Sequence, residues 1–128
     1  MLVVEVENRS GEAVDEDGAA AVARAVLAAE GVDEGELGLA FVSAGEMQEL
    51  KREHLGIDEA TDVLSFPLDG REPVPAGLPR ALGDVVLCPA VVRDEWRVPL
   101  VHGLLHLLGY DHGAEMESRE RVHAAPDG

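Results

Sequence analysis

Valine and glutamate alternate over residues 2–8, the period-two pattern of a half-buried β-strand. From Asp17 to Glu30 the apolar residues recur at helical spacing, and Gly31 follows where a helix C-cap is expected. The same reading predicts strands over 37–42, 62–66 and 83–88, helices over 44–54, 89–97, 99–108 and 114–124, and a loop over 67–82.

Local signals fix several of these boundaries. Ser43 and Glu46 form a capping box that predicts a helix start, and Pro99 suits the first turn of the helix through residue 108. The order β-α-β-α-β-β-α-α predicts an α+β fold, in which a small mixed sheet of about four strands packs against helices. At 128 residues, the whole chain 1–128 is expected to form a single domain.

Composition is that of an ordinary globular protein, with 46% hydrophobic and 28% charged residues. No stretch approaches the roughly 20 apolar residues of a membrane helix. The N-terminus has neither the basic start nor the apolar segment of a secretory signal. Cys88 is the only cysteine, which excludes an internal disulfide. A cytoplasmic protein is therefore expected.

The net charge of −16 is unusual for a protein that binds nucleic acid, because phosphates are normally gripped by a basic patch. The acidity is unevenly distributed. Residues 1–46 hold eleven acidic and two basic residues, whereas residues 88–112 hold three and two. Most carboxylates are therefore interpreted as a solvated face that keeps the protein soluble.

The segment 101–113 reads Val-His-Gly-Leu-Leu-His-Leu-Leu-Gly-Tyr-Asp-His-Gly. His102 and His106 lie four residues apart on the predicted helix, so their rings project from one face, about 6 Å apart at their bases. Two ring nitrogens at this spacing can converge on one ion at about 2.0–2.1 Å. Leucines occupy most of the remaining circumference, which predicts a largely buried helix.

Gly109 is placed to end the helix in a left-handed C-cap, and the turn beyond it can return His112 as a third ligand. Three histidines leave a fourth tetrahedral position open, as in catalytic zinc sites, where bound water reaches a pKa of about 7. A lone histidine on such a helix is more often a hydrogen-bonded core residue. The array of three predicts one bound metal ion, zinc first, with nickel or copper as alternatives. His54 and His123 are predicted to be surface residues.

The spacing matches the metzincin zinc-protease motif except at Gly103, where the protease carries its general-base glutamate. Glycine cannot replace that base. The sequence therefore favours a different reaction on a similar metal platform, and it disfavours a peptidase or amidase.

Three segments together resemble the YbeY endoribonuclease family of bacterial rRNA maturation factors: 61–67 (TDVLSFP), 83–89 (GDVVLCP) and 102–112 (HGLLHLLGYDH). The resemblance covers nearly the whole chain. It implies an α+β metallohydrolase domain in which His102, His106 and His112 hold zinc. It also implies metal-dependent cleavage of single-stranded RNA, with roles in maturing the 3′ end of small-subunit rRNA and in ribosome quality control.

The sequence departs from the family pattern in three places. Leu55 stands where many members carry an arginine thought to contact phosphate, and only Lys51 and Arg52 lie nearby. The stretch between Cys88 and the first histidine is shorter than usual. The chain also ends soon after the motif, although Met116 and Glu120 still match the family's closing helix.

No catalytic side chain is assigned beyond the metal ligands. The resemblance places the strand of Asp62 and Ser65 along the metal cleft, where either residue could orient water or a ribose hydroxyl. The preferred interpretation is structural, with Asp62 capping a turn and Ser65 bonding backbone. Cys88 is interpreted as a small buried hydrophobe. Asp111 is expected to shape the turn or to bond a ligand's second ring nitrogen.

The leading hypothesis is thus a zinc-dependent endoribonuclease acting on single-stranded rRNA of the small ribosomal subunit. One alternative is another metallohydrolase, and a second is a non-catalytic, zinc-stabilised ribosome-assembly factor. Leu55 and the strong negative charge favour the second. A protein recruiter would explain how so acidic a chain reaches RNA. The sequence gives no oligomeric state.

Overall fold

The computed structural model describes residues 2–55, 62–69, 75, 80–110 and 114–124. Its strands are β1 (Leu2–Asn8), β2 (Gly35–Phe41), β3 (Val63–Pro67) and β4 (Ala81–Leu87). Its helices are α1 (Glu16–Ala29), α2 (Ala44–Leu55), α3 (Pro89–Val92), α4 (Arg97–Leu107) and α5 (Ala114–Ala124).

The four strands form one mixed sheet in the order β1-β2-β4-β3. β1, β2 and β4 are parallel, and β3 is antiparallel to β4. The predicted α+β fold with a small mixed sheet is confirmed. Because β4 lies between β2 and β3, the strand that precedes the histidine-containing segment is central in the sheet, where its apolar run Val85-Val86-Leu87 is buried on both faces.

Alternate residues of β4 enter two separate cores, as the period of a strand requires. Val85 and Leu87 face the larger core, which α1 and α4 cover, while Val86 faces a smaller core that contains Met47 of α2. Fully buried leucines dominate the larger core: Leu27, Leu82, Leu87, Leu100, Leu104 and Leu105. The sheet is therefore packed on both faces, and α4 lies directly on it.

Half of the predicted capping box is found, whereas the Glu46 carboxylate pairs with Arg9. The Ser43 hydroxyl accepts a hydrogen bond from the Glu46 amide (3.1 Å), which is half of the capping box. The Glu46 carboxylate lies on the Arg9 guanidinium, with an Nη2–Oε2 distance of 2.5 Å. Gly109 (φ 96°) directly follows the C-cap of α4, and its amide donates to the His106 carbonyl at 3.0 Å.

Several predicted boundaries were wrong, since β2 begins at Gly35 and not at residue 37, and α4 begins at Arg97 and not at residue 99. The helix expected over 89–97 ends at Val92, because Arg93 has φ 52° and ψ −129°, which no right-handed helix allows. The strand expected from residue 83 begins at Ala81, since Ala81 already pairs with Glu36 of β2 across a shift in register at Leu82. Among the described helices, none has the length and apolar content needed to cross a bilayer.

Candidate metal centre

Helix α4 presents two histidines at the floor of a cleft. Leu100, Leu104 and Leu105 of α4 are fully buried, so the rotation of the helix about its axis is set by its packing. The i, i+4 spacing then brings His102 Nε2 and His106 Nε2 to 3.1 Å from each other, with their rings nearly perpendicular at 80°. The predicted convergence of these two residues is present in the structure.

The two ring nitrogens fit one metal ion. Two zinc–nitrogen bonds of about 2.0–2.1 Å at a tetrahedral angle span about 3.3–3.4 Å between the nitrogens. The observed 3.1 Å lies close to that span. Imidazole nitrogen is also a donor that suits zinc, nickel and copper. The geometry of the pair therefore fits two ligand positions of one ion without rearrangement of the backbone.

His112 and Asp111 lie outside the described residues, so the third ligand stays a prediction. Within the described ranges alone, no group of three histidine, cysteine or acidic side chains is arranged around a common point. Tyr110 is the last described residue before Asp111 and His112. Its amide donates to the Leu105 carbonyl (3.1 Å), which turns the chain back along the end of α4.

A carboxylate on α5 contacts the first histidine from its other side. Glu120 Oε2 lies 3.3 Å from His102 Nδ1, and both side chains are about one quarter exposed. A carboxylate in this position favours a proton on Nδ1, which places the lone pair of the neutral ring on Nε2. The sequence matched Glu120 to a family helix but gave it no role, because its partner lies 18 residues away.

Gly103 faces away from the cleft and into the sheet. A Cβ atom there would lie 2.8 Å from Val85 Cγ1 and 3.1 Å from both Ser65 Oγ and Val63 Cγ2. The glycine that replaces the metzincin glutamate is therefore a close-packing position. A glutamate there would be directed into the core and not towards the metal, which strengthens the argument against a peptidase.

Ser65 forms a hydrogen bond at the contact between Gly103 and the sheet. Its hydroxyl donates to the Gly103 carbonyl at 2.9 Å, which joins β3 to the middle of α4. The side chain of Ser65 thus bonds backbone, as the preferred interpretation expected. A further role in orienting water or a ribose hydroxyl stays a prediction.

The cleft above the histidines has a volume of about 900 Å³, within the usual range of ligand sites. β3 forms one wall, and the half-buried Asp62 lies at the start of that wall. Its other lining residues include Val98, Pro99, Tyr110 and Glu120. Among the described residues that line it there are two carboxylates and no lysine or arginine. Asp62 is therefore placed to act on a bound group, and that role stays a prediction.

Behind the cleft lies a buried charged cluster that the sequence did not reveal. Glu30, whose side chain is 3% exposed, accepts hydrogen bonds from Tyr110 Oη (2.7 Å) and Arg119 Nε (2.7 Å). His123 Nε2 lies 2.6 Å from the same carboxylate. The prediction of His123 as a surface residue was wrong, since the residue is only 8% exposed. Nothing in the sequence indicates this burial, because the partner of His123 lies 93 residues away in the chain.

The charge on Glu30 is strongly stabilised. Burial raises its pKa, but the hydrogen bonds from His123, Tyr110 and Arg119 outweigh that effect and bring the pKa down from 4.5 to about 2. Glu30 is therefore ionised throughout the physiological range. It forms the anionic centre of the cluster.

Three further sequence predictions have different outcomes. Cys88 is fully buried in the smaller core, which confirms its reading as a buried hydrophobe. The side chains of His54 and Leu55, at the end of α2, lie outside the described residues. The loss of phosphate recognition at Leu55 therefore stays a prediction.

Comparison with known proteins identifies the family of this chain. The family model described as endoribonuclease YbeY matches residues 5–126. The chain belongs to this family. It is 40% identical to the endoribonuclease YbeY of Salinispora tropica, with 93% of this chain and 88% of that protein covered. It is 42% identical to the namesakes from Acidothermus cellulolyticus (93% and 84% covered) and Beutenbergia cavernae (93% and 89% covered).

A solved structure supports the fold independently. The solution structure of a Thermotoga maritima protein superposes with a TM-score of 0.61 at 22% identity, covering 94% of this chain and 86% of that one. The likeness extends over almost the whole chain. The arrangement of sheet and helices described above is therefore one that an experimentally determined protein also adopts.

Proposed function

We propose that this protein is a zinc-dependent endoribonuclease that cuts single-stranded RNA. The observation that carries the proposal is the pair of histidine nitrogens, 3.1 Å apart, at the floor of the cleft. Membership of the endoribonuclease YbeY family supports the reaction class. His112 would complete the ligand set, and one zinc ion is the cofactor, with nickel or copper as alternatives.

The chain's own residues bind and orient in this proposal. His102 and His106 hold the ion through Nε2, and Glu120 fixes the first ring through Nδ1. When bound, the ion supplies a Lewis acid for phosphate oxygen and lowers the pKa of water towards about 7. Asp62, on the cleft wall, is the candidate to orient water or a ribose hydroxyl.

The electrostatics of the cleft explain why RNA binding would depend on the ion. Asp62 and Glu120 bring negative charge to the described lining, and no described lysine or arginine offsets it. A phosphodiester would be repelled by these carboxylates alone. Single strands suit such a cleft better than duplexes, because their unstacked bases can be turned towards a protein surface.

We further propose that the substrate is rRNA of the small ribosomal subunit at its 3′ end, and that the protein serves in ribosome quality control in the cytoplasm. This rests on the family resemblance of the three sequence segments. A protein recruiter is part of the proposal, because a chain of net charge −16 gains little from electrostatic steering towards RNA. Pull-down from a lysate that returns no ribosomal protein would count against the recruiter.

The test is cleavage of a single-stranded RNA that spans a small-subunit rRNA 3′ end. We expect cutting by the wild type, loss after chelation, recovery with zinc, and no cutting by His106→Ala. Leu68→Ala, at a side chain 65% exposed and away from the histidines, serves as the control and should cut normally. Wild-type protein with zinc bound that leaves the RNA intact would refute the nuclease.

The ends of the cut RNA distinguish two chemistries. Attack by water leaves a linear phosphate monoester, whereas attack by the neighbouring 2′-hydroxyl leaves a 2′,3′-cyclic phosphate. Mass spectrometry of the short products separates these outcomes. A cyclic phosphate would exclude direct attack by water.

A second candidate function is a ribosome-assembly factor that uses zinc only for stability. The absence of a described cation from the cleft lining favours it. An assembly factor of this kind would still associate with the small subunit when it carries His106→Ala. It would not turn over RNA at any ratio of protein to RNA. Association that disappears with the histidine would argue against this candidate.

A further inference from the structure

Glu30 occupies a position that local helix physics disfavours. It is the C-cap residue of α1, where the helix dipole places partial negative charge. Its carboxylate is almost wholly buried, so the free energy of desolvation is also unfavourable. The contacts that offset both effects come from a different part of the chain. This points to a role for Glu30 beyond the end of its own helix.

All of these contacts come from the segment that surrounds the third predicted ligand. Tyr110 precedes His112 in the chain, and Arg119 and His123 follow it on α5. Arg119 binds with two nitrogens, Nε at 2.7 Å and Nη2 at 2.5 Å. One carboxylate on α1 therefore fixes both ends of this segment.

Polar contacts hold much of the described part of α5 in place. Among its described side chains, His123 is the only buried one, and Val122 is 57% exposed. No described residue of α5 belongs to either hydrophobic core. The contacts to Glu30 therefore contribute to its position, together with a 3.5 Å hydrogen bond from Arg97 Nη2 to the His123 carbonyl.

That position matters for the metal centre because α5 also carries Glu120. Arg119 and Glu120 are adjacent, and one reaches Glu30 while the other contacts His102 Nδ1 at 3.3 Å. A shift of α5 by even 1 Å would lengthen the second contact beyond hydrogen-bond range. The contact of Arg119 with Glu30 is therefore coupled to the contact of Glu120 with His102, because both residues belong to α5.

We propose that Glu30 is a positioning residue for the metal centre, which sets zinc affinity by anchoring α5 and thereby the Glu120 contact to His102. The inference rests on the proposed zinc site. It adds a residue 72 positions before the first ligand to the determinants of that site. Glu30 touches neither ion nor substrate, and it acts through α5.

The test measures zinc dissociation constants by competition with a chromophoric chelator. Loss of a carboxylate that orients a ligand typically weakens binding about 10–100-fold, which we expect for Glu120→Gln. Glu30→Gln should weaken zinc binding at least about tenfold by the same route. Both substitutions should disrupt the same contact, that of Glu120 with His102. The double variant should therefore bind zinc no more than about threefold more weakly than the single variant with the lower affinity.

Two further variants serve as controls for the effect of Glu30→Gln on zinc affinity. Arg119→Lys keeps the charge but removes the two-pronged contact, so it should fold and show a smaller loss of affinity. Glu46→Gln breaks an Arg9 ion pair on a different part of the protein and should change zinc affinity less than about twofold. In zinc-free protein, amide exchange of residues 114–124 should accelerate in Glu30→Gln and not in Glu46→Gln.

Distinct results overturn distinct claims. Glu30→Gln and Arg119→Lys that lose stability but bind zinc like the wild type would show that the cluster is only structural. Losses that multiply in the double variant would show that Glu30 does not act through Glu120. Wild-type protein that takes up no zinc would refute the metal site itself, and with it this inference.

Discussion

Replacing Gly103 by alanine tests the packing on which the metal centre depends. The added Cβ would meet Val85 Cγ1 at 2.8 Å, and Val85 is fully buried in the central strand, so it has no free space to yield. Such overpacking costs about 1–3 kcal/mol. If α4 moves away to relieve it, the Ser65 hydrogen bond to Gly103 is weakened, at a cost of about 1 kcal/mol.

The higher helix propensity of alanine offsets up to about 1 kcal/mol of these costs, because alanine loses less backbone entropy than glycine on folding. The net loss of unfolding free energy is then about 2 kcal/mol. For 128 residues the unfolding entropy is about 270 cal/mol/K, so Tm should fall by about 7 °C. Urea and thermal unfolding of the zinc-free protein measure both quantities.

Gly45→Ala is the matched control, since this glycine also lies in a helix but its Cβ would meet nothing closer than 3.9 Å. It should leave the stability unchanged or raise it by up to about 1 kcal/mol. If Gly103→Ala were as stable as Gly45→Ala, the close contact between α4 and the sheet would not exist as described. The explanation of the missing metzincin glutamate would fail with it.

Three other predictions concern pH, salt and the core. The Glu30 pKa is lower in the folded state than in the unfolded one, so its stabilisation is complete above pH about 4.5 and falls by about 3 kcal/mol as the pH drops towards 2; between pH 7 and pH 3, urea unfolding should show a loss of about 2 kcal/mol in the wild type that Glu30→Gln lacks. RNA affinity should change less than about fourfold between 50 and 200 mM salt, measured by fluorescence anisotropy, because no described cation lines the cleft; a steep decrease would reveal a basic site elsewhere. Leu104→Ala should cost about 2–5 kcal/mol of unfolding free energy and Leu68→Ala less than about 0.5, since only the first side chain is fully buried; equal losses would contradict the assigned core.

The features that sequence predicted well are those governed by neighbours in the chain. The periods of β1 and α1 are local, as are the cap at Ser43 and the helix stop at Gly109, and each is found where the pattern placed it. The His102–His106 pair belongs to the same class, because four-residue spacing within one helix fixes its geometry. Relation to a known family added the fold and the reaction class.

The features that sequence missed depend on contacts between distant segments. Nothing near His123 indicates that Glu30 lies beside it, and a histidine in a polar helix is ordinarily exposed. The left-handed backbone at Arg93, which ends α3, is likewise unusual for a residue other than glycine and has no local signal. The tight fit of Gly103 required knowing which strand α4 packs against.

The apolar surface of α4 has a consequence for how the protein folds. Its leucines pack against a sheet in which β4 pairs with β2, and those strands are separated by 39 residues of chain. Pairings of such long range form slowly, so folding intermediates expose an apolar helix to solvent. A net charge of −16 makes partly folded chains repel one another during that interval. The acidity that hinders an approach to RNA therefore protects the nascent protein from aggregation.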